Sequence, residues 1–408
     1  MKKRFLYHRL KKYVDHKNVL VITGMRQVGK TTLMKQIFDE VLNPKLWFDF
    51  DNPLDMLHFE NIDYDAIYNN LLKESGVKKE RLFIFIDEIQ NLPVITKIIK
   101  YLIDKYKVKF IVTGSSNYYL KNLFPESLSG RKFLFILPTM SFKEYLFFTE
   151  RSKEEESADT EKNIDSVLNN YSLLEFKKYE TDYADYLEYG GFPEVVTTTD
   201  SKTKKDVLRN IFASFFEKDI RLLSDIKDIR ELRDLILLLV PRTGNMLDIT
   251  KLSSESGINR VKLYDYLEFL QGVFFIKLIP KFSASIDRSV AGGKKLYFAD
   301  NGLLNVIGRV NDGQLFENSV ANQLSLYGEL TFYNKRNTAE IDFILNKEIA
   351  FEAKSKACEK DLTKMENICS RIGINKSYLV SLNYVKTERT IFPMPSLPIL
   401  VRQKYKKE

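Results

Sequence analysis

The chain has 408 residues, of which 44% are apolar and 29% charged, a composition typical of globular proteins. No apolar run approaches the ~20 residues that a membrane-spanning helix needs, which excludes an integral helical membrane protein. The formal net charge of +8 suits a polyanionic partner such as nucleic acid, but a lysine-rich proteome produces the same excess.

Five β-like runs alternate with helical or loop stretches in the first third of the chain. They are Val19–Thr23, Leu46–Phe50, Leu82–Asp87, Lys109–Thr113 and Lys132–Leu137. This alternation predicts a parallel α/β sheet. Beyond Pro138 helical periodicity takes over, interrupted by a charged run over 151–162 that we interpret as a solvated loop or an insertion.

The first of these strands leads into a glycine-rich loop of the form Gly-x4-Gly-Lys-Thr, which is followed by a helical pattern. In a P-loop of this form, backbone N–H groups surround phosphate oxygens, the lysine reaches the β- and γ-phosphates, and the next hydroxyl ligates Mg²⁺. We therefore predict an ATP site with Mg²⁺. The residues predicted to contact the nucleotide are Gly24, Arg26, Gln27, Val28, Gly29, Lys30, Thr31 and Thr32.

Two acids follow the third strand directly. Asp87 is predicted to hold Mg²⁺ together with Thr31, and Glu88 to polarise the attacking water. An acid in the position of Glu88 favours hydrolysis over a kinase-type transfer. The alternative interpretation is an acidic pair on the surface at the end of a strand.

Two further polar residues are candidates for the same site. Ser115, after the fourth strand, is predicted to hydrogen-bond the γ-phosphate or the water, although a serine turn gives the same pattern. Arg131, before the fifth strand, is predicted to supply positive charge to a γ-phosphate, either in its own chain or in a neighbouring subunit. An exposed structural arginine is the competing interpretation of Arg131.

These motifs together resemble the AAA+ ATPases, and more closely the bacterial and archaeal AAA+ family whose carboxy-terminal half is a domain of unknown function. The resemblance covers nearly the whole chain and implies a helical lid and a homo-oligomeric ring or spiral with ATP at subunit interfaces. The charged run over 151–162 departs from the family pattern. The matching segments are Gly24–Thr32, Asp87-Glu88, Thr113–Ser116, Gly130-Arg131 and Gly190-Gly-Phe-Pro193.

Residues 248–272 predict two helices joined by a turn at Gly257. A β-like run over 273–279, a basic hairpin from Lys281 to Lys295 and a short strand at 296–298 follow, which is the order of a winged helix. A helical hairpin used only for packing or subunit contacts is the alternative. In the second helix, the residues predicted to face a core are Val261, Leu263, Leu267 and Leu270, and those predicted to meet DNA are Arg260, Lys262 and Tyr264.

Near the carboxyl end, two alternating runs, 339–345 and 349–354, flank a three-residue loop. Burying both apolar faces together requires Leu345 to oppose Ile349. In that register Asp342 lies across from Glu352, with Lys354 on the same polar face. Two such carboxylates can share a divalent metal while a lysine orients the attacking water.

The order and spacing of these residues resemble the PD-(D/E)xK nucleases, with Asp342 and Glu352-x-Lys354 in the motif positions. The resemblance implies that Glu317, on a predicted helix over 315–326, adds a metal ligand. Glu340-Ile stands where the name-giving Pro-Asp would begin, which departs from the family pattern. A solvated sheet face on which Glu352 and Lys354 simply pair is the alternative, and folds of this type are often retained for binding alone.

We therefore predict a fold of class α/β in four regions: a P-loop NTPase (AAA+) core over 1–137, a helical lid and linker over 138–240, a winged helix over 241–310, and a restriction-endonuclease-like domain over 311–408. The predicted function is that of an ATPase that remodels or moves along DNA, with a carboxy-terminal domain that binds or cuts it. One alternative is an NTP-driven switch that controls the winged helix in transcription or defence. Another is a Mg²⁺-dependent nuclease regulated by ATP.

The preferred form of DNA, whether duplex, single-stranded or branched, stays open at this point. The two cysteines have the pattern of reduced thiols, and no histidine lies near them, which argues against a zinc site. The basic amino terminus leads into Phe5-Leu-Tyr-His rather than into a secretory apolar segment. We therefore expect a cytoplasmic protein without a membrane partner.

Overall fold

Two units make up the fold, and the first ends near Pro138. The computed structural model describes residues 2–76, 80–114, 130–152, 172–219, 229–283, 292–335, 338–386 and 391–395. The first unit contains the described residues up to Pro138 together with 272–274, and the second contains the remainder. Nearly all of the charged run over 151–162 lies outside the described residues.

A parallel sheet forms the centre of the first unit, with strand order β2-β3-β4-β1-β5. Each strand begins and ends within one residue of its predicted bounds, so the predicted parallel α/β sheet is confirmed. β1, β3 and β4 are buried along their whole length, as expected for continuous apolar runs inside a parallel sheet. The strands are β1 (Val19–Thr23), β2 (Lys45–Asp49), β3 (Phe83–Asp87), β4 (Lys109–Gly114) and β5 (Lys132–Ile136).

Helices cover this sheet because their apolar residues recur at helical spacing. Ile95, Ile98, Ile99 and Leu102 of one helix are at most 1% exposed and pack with the strands. Burial of each such side chain contributes roughly 1.5–3 kcal/mol. The helices of the first unit are α1 (Phe5–Lys11), α2 (Lys30–Glu40), α3 (Pro53–Leu57), α4 (Tyr64–Ser75) and α5 (Ile95–Tyr106).

The second unit begins with helices, as the periodicity beyond Pro138 predicts. Among the residues with described positions, no helix has both the length and the apolar character that crossing a bilayer requires. Its helices are α6 (Phe142–Phe148), α7 (Leu173–Tyr189), α8 (Pro193–Thr197), α9 (Ser201–Ser214), α10 (Ile229–Leu239), α11 (Ile249–Ser256), α12 (Arg260–Gly272), α13 (Asn301–Ile307), α14 (Asp312–Leu324) and α15 (Glu359–Ile372).

Two sheets complete the second unit. The first is an antiparallel pair, β6 and β7, and the second has strand order β12-β11-β10-β9-β8. Beyond residue 311 the order is a helix, three strands, a helix and two strands, and it includes the helix predicted over 315–326 and the two strands predicted over 339–345 and 349–354. The strands are β6 (Ile276–Pro280), β7 (Lys294–Phe298), β8 (Leu330–Lys335), β9 (Ala339–Leu345), β10 (Ile349–Lys354), β11 (Lys376–Ser381) and β12 (Ile391–Pro393).

The Gly190-Gly-Phe-Pro193 run, to which the sequence alone assigns no role, is a point of close approach inside the second unit. A Cβ atom on Gly190 would lie 2.0 Å from Asp300 Oδ1, and one on Gly191 would lie 2.2 Å from the Met140 carbonyl oxygen. Gly190 also has a positive φ of 74°. Only glycine therefore lets the end of α7 cross these neighbours.

Asp300 fills the space that the two glycines leave open. Its carboxylate accepts hydrogen bonds from Gly191 N (2.8 Å) and Leu303 N (3.0 Å), and it caps the start of α13. Burial raises the pKa of Asp300 to about 6, and the backbone donors oppose that rise. The glycine run and Asp300 thus form one packing element that joins α7 to α13.

Candidate functional site

The P-loop occupies the carboxyl end of β1. After Thr23 the backbone turns at Gly24, where φ is 146° and an added Cβ would lie 2.1 Å from the Leu137 carbonyl oxygen. The loop ends at Gly29 in the left-handed region, where α2 begins with Lys30. The predicted arrangement of strand, glycine loop and helix is therefore present, with the positive end of a helix facing the loop.

Lys30 lies inside the loop and is 6% exposed. Its Nζ donates hydrogen bonds to the carbonyl oxygens of Gly24 (3.0 Å) and Met25 (2.9 Å). The ammonium is therefore held next to the loop backbone that would surround a phosphate. Of the other predicted contacts, Val28 is buried, Arg26 and Thr31 are half-buried, and Gln27 and Thr32 are exposed.

Asp87 is the last residue of β3, which is separated from β1 by β4. It therefore lies at the same carboxyl edge of the sheet as the P-loop. It is 4% exposed, and its carboxylate accepts a hydrogen bond from Thr113 Oγ1 at the end of β4. The same hydroxyl accepts a hydrogen bond from Glu88 N (3.2 Å). Thr113 therefore holds the carboxylate of Asp87 and the backbone N–H of Glu88. The sequence gives Thr113 no separate role, although its position near the end of a neighbouring strand is a signal that could have identified it.

Glu88 follows in the left-handed region, with a φ of 51°. A non-glycine residue there is uncommon and is found most often where surrounding structure holds it. Gln90 Nε2 donates a hydrogen bond to Glu88 Oε2. Gln90, which the sequence pattern does not single out, thus orients the carboxylate predicted to polarise water.

The donor set of this edge suits a nucleotide with Mg²⁺. Backbone N–H groups of the loop and the Lys30 ammonium match phosphate oxygens, while Thr31 and Asp87 provide the hard oxygen ligands that Mg²⁺ prefers. Because the carboxyl ends of parallel strands meet at one edge, β1 and β3 bring these groups to the same side of the sheet.

The two remaining candidates for this site are Ser115 and Arg131. Ser115 lies outside the described residues, as does its neighbour Ser116. Arg131 precedes β5, and β5 runs parallel to β1, so Arg131 lies at the amino end of the sheet, roughly 15 Å along the strands from the P-loop. It pairs instead with Asp104 (3.0 Å). Within its own chain Arg131 is therefore far from the nucleotide, and contact with a neighbouring subunit stays a prediction.

The helix pair of the second unit follows the predicted order, with Gly257 in a left-handed turn between α11 and α12. Leu263, Leu267 and Leu270 are buried as predicted. The prediction for Val261 is wrong, since it is 73% exposed: it shares the outer helix face with Arg260 and Tyr264. Lys262 bonds to Glu231 instead of pointing freely outward.

The carboxy-terminal strands adopt the predicted register, with Leu345 opposite Ile349 across the three-residue loop. Pairing of β9 with β10 ends at Phe343 and Phe351. One residue further on, Asp342 Oδ2 accepts a hydrogen bond from Ala353 N (3.0 Å). Glu352 pairs with Lys354 (2.7 Å), as in the alternative interpretation of that motif.

Lys295 enters this carboxylate group from β7. The sequence predicts that it belongs to a basic hairpin; it lies in β7, which pairs with β6, and its side chain is only 4% exposed. Its Nζ lies 2.8 Å from Glu340 Oε1, 3.1 Å from Asp342 Oδ1 and 3.4 Å from Glu317 Oε1. Tyr297, two residues further along β7, is buried and donates a hydrogen bond to Glu317 (2.6 Å).

Burial and neighbouring charges both shift the pKa values of this group. Burial lowers the pKa of Lys295, but Asp342, Glu317 and Glu340 outweigh it, so the pKa is raised and the ammonium stays protonated. Burial, and then the charge of Asp342, raises the pKa of Glu317 to about 7. The cluster is therefore an ion network with a buried lysine at its centre and the exposed Glu340 at its edge.

This network does not suit the divalent metal that the nuclease resemblance implies. Both oxygens of Asp342 already accept hydrogen bonds, one from Lys295 and one from Ala353 N. Within the part of the chain that the structure describes, no three carboxylate, histidine or cysteine side chains are grouped so that they could hold a metal ion. The proposed metal role of Glu317, Asp342 and Glu352 is thus without structural support.

Three family models match consecutive parts of the chain. Residues 16–146 match a model described as an AAA domain, in agreement with the P-loop NTPase fold of the first unit. Residues 180–314 and 312–397 match two models that are each described as a domain of unknown function. The order of an AAA domain before domains of unknown function is the one that the sequence resemblance implies.

Similar proteins occur in bacteria and archaea. An uncharacterised protein of Methanocaldococcus jannaschii is 27% identical over 90% of this chain and 82% of its own length. An uncharacterised protein of Haemophilus influenzae is 28% identical over 86% of each chain. Among solved structures, a Walker-type ATPase of Pyrococcus abyssi aligns over 74% of this chain and 94% of its own, with 15% identity and a TM-score of 0.46. That score lies below 0.5, so the superposition does not by itself establish a common fold.

Proposed function

We propose that the chain binds and hydrolyses ATP and uses the cycle to act on DNA. The observation that carries the proposal is the meeting of the P-loop, Lys30, Asp87 and Glu88 at one edge of the parallel sheet. A P-loop alone would support binding. The oriented Glu88 adds a group able to take a proton from water, which supports hydrolysis.

Each residue of this site has its own role in the proposed binding and hydrolysis of ATP. Loop N–H groups and Lys30 bind the phosphates, and Thr31 with Asp87 would hold Mg²⁺, which neutralises phosphate charge when bound. Thr113 holds the Asp87 carboxylate and the Glu88 N–H, and Gln90 orients the Glu88 carboxylate by a hydrogen bond. Glu88 then orients and polarises the attacking water.

Replacing Glu88 by glutamine should separate binding from hydrolysis. The amide cannot accept a proton from water, so we expect turnover to fall roughly 10²–10⁴-fold while ATP affinity is kept. Phosphate release and fluorescent-nucleotide titration measure the two quantities. Glu60→Gln, an exposed acid of the same unit, is the control and should change neither. Wild-type turnover in Glu88→Gln would show that another group activates the water.

The proposal for DNA rests on α11, α12 and the β6–β7 ribbon, which have the order of a winged helix. The outer face of α12 begins with Arg260, Val261 and Tyr264, a cation, an apolar side chain and an aromatic ring that suit contact with phosphate and base edges. The acids of that face, Asp265 and Glu268, lie further along the helix. The favoured contact is thus at the amino end of α12, as in recognition helices.

Reversing the charge of Arg260 tests this surface. If α12 meets DNA, Arg260→Glu should weaken duplex binding by about 1–3 kcal/mol, which is roughly 5- to 150-fold in Kd. Fluorescence anisotropy at several salt concentrations provides the measurement. Lys202→Glu, at an exposed position on α9, carries the same charge change as a control. Equal losses in both variants would mean that only net charge matters and that α12 is not the contact.

DNA dependence of the ATPase distinguishes the two forms of action. A protein that remodels or moves along DNA should hydrolyse ATP much faster when DNA is present, and added salt should abolish the stimulation. A switch should turn over slowly with or without DNA. Single-stranded, duplex and branched DNA, tested with one preparation and with Glu88→Gln as a blank, would also identify the preferred form.

A further inference from the structure

A lysine lies where the nuclease resemblance would place a metal. The Lys295 ammonium is within 3.4 Å of one oxygen on each of Glu317, Glu340 and Asp342. Its side chain is 4% exposed, whereas that of Lys354, the lysine of the motif, is 38% exposed. Lys295 is therefore the cation shared by Glu317 and Asp342, whose side chains are largely buried, and by Glu340, whose side chain is 47% exposed.

Asp342 and Glu317 each accept a further hydrogen bond besides their contact with Lys295. Asp342 Oδ2 accepts a hydrogen bond from Ala353 N. This bond links β9 to β10 just beyond the last residue pair of the two strands. Glu317 receives the Tyr297 hydroxyl on the same oxygen that faces Lys295. A metal entering here would have to displace a buried ammonium whose charge already compensates these carboxylates.

We propose that the Lys295 ammonium takes the place of a divalent metal between Glu317 and Asp342, so that the second unit binds no catalytic metal and leaves phosphodiester bonds intact. The lysine also ties the β6–β7 ribbon to the carboxy-terminal sheet, because it comes from β7 and its partners come from α14 and β9. Lys295 would hold these carboxylates whether or not the chain acts on DNA.

The first test compares the wild-type chain with Asp342→Asn, without nucleotide. We expect calorimetric titration to show no Mn²⁺ binding that depends on Asp342, and no DNA cleavage in Mg²⁺ or Mn²⁺. Mn²⁺ binding or DNA cleavage that is present in the wild type and lost in Asp342→Asn would overturn the proposal. This comparison needs no Lys295 variant, so it holds even if removing the lysine unfolds the protein.

The second test removes the tethered cation. Lys295→Ala leaves buried carboxylates without a counter-ion, so we expect its transition temperature to fall by several degrees and Mn²⁺ to restore part of the loss. Lys354→Ala is the matched control, since Lys354 pairs only at the more exposed edge of the cluster; it should show no Mn²⁺ response. A folded Lys295→Ala chain that ignores Mn²⁺ would contradict the assignment of Lys295 to the metal position.

Discussion

Lys30→Ala is expected to reduce ATP turnover by roughly 10²–10³-fold, the loss seen when one preorganised donor to a reacting oxyanion is removed. The ammonium is buried within the P-loop and bonded to the Gly24 and Met25 carbonyl oxygens, so alanine removes both the positive charge and these two contacts with the loop. Nucleotide affinity should fall as well, because a charge-assisted contact to phosphate is lost. Phosphate-release kinetics and fluorescent-nucleotide titration measure both effects.

Lys35→Ala is the matched control for this variant. Lys35 lies on the same helix but is exposed, so the control removes an equal charge without touching the loop. Its turnover should stay close to that of the wild type. Circular dichroism of both variants checks that the sheet is intact, since β1 and α2 flank the loop. If Lys30→Ala hydrolysed ATP like the wild type, the assignment of the nucleotide site would be wrong.

Gly190→Ala is expected to lower the stability of the second unit by about 3–5 kcal/mol. The new Cβ would lie 2.0 Å from Asp300 Oδ1, so the carboxylate must move away from Gly191 N and Leu303 N. Asp300 is buried, and loss of these donors leaves a charge without compensation. Scanning calorimetry is the suitable measurement, because two units need not unfold in one transition.

Gly257→Ala measures the cost of a positive φ where no clash occurs. Gly257 has a φ of 70° and a ψ of 4°, in the left-handed helical region, and an added Cβ meets nothing within 4 Å; Gly190 combines a φ of 74° with a ψ of −159°. Strain alone should therefore cost about 1–2 kcal/mol at Gly257. If the two variants lost equal stability, the close approach of Gly190 to Asp300 would not be the reason that the glycine is needed.

Local patterns in the sequence give most of the first unit correctly. The β1–β5 runs are short and largely apolar; the first four end at a polar or glycine residue and the fifth ends shortly before Pro138, so their bounds can be read within one residue. The P-loop and the Asp87-Glu88 pair depend on neighbouring residues along one strand and one loop. The hydrogen bonds that Thr113 and Gln90 make to the two acids are harder to predict. They form only when the end of β4 and the turn after β3 lie beside Asp87 and Glu88.

The second unit shows where such patterns fail. Val261 is apolar, but it lies two residues before Leu263 and six before Leu267, which are not helical spacings, and it faces outward because α12 buries the face that carries Leu263. A single hydrophobic residue at the start of a helix does not define which side packs. Lys295 likewise lies among basic residues in sequence, but its place in β7 turns it into the protein.

The P-loop, the parallel sheet, the helical stretch and the Leu345–Ile349 register can each be predicted from spacing within a short segment. The partners of the charged groups depend instead on contacts that form when the chain folds. In the folded chain, Arg131 lies at the end of the sheet opposite the P-loop and pairs with Asp104. The Gly190-Gly191 run packs beside Asp300, and Lys295 lies among Glu317, Glu340 and Asp342. Those contacts join residues that are distant in the chain, and residue spacing carries no information about them.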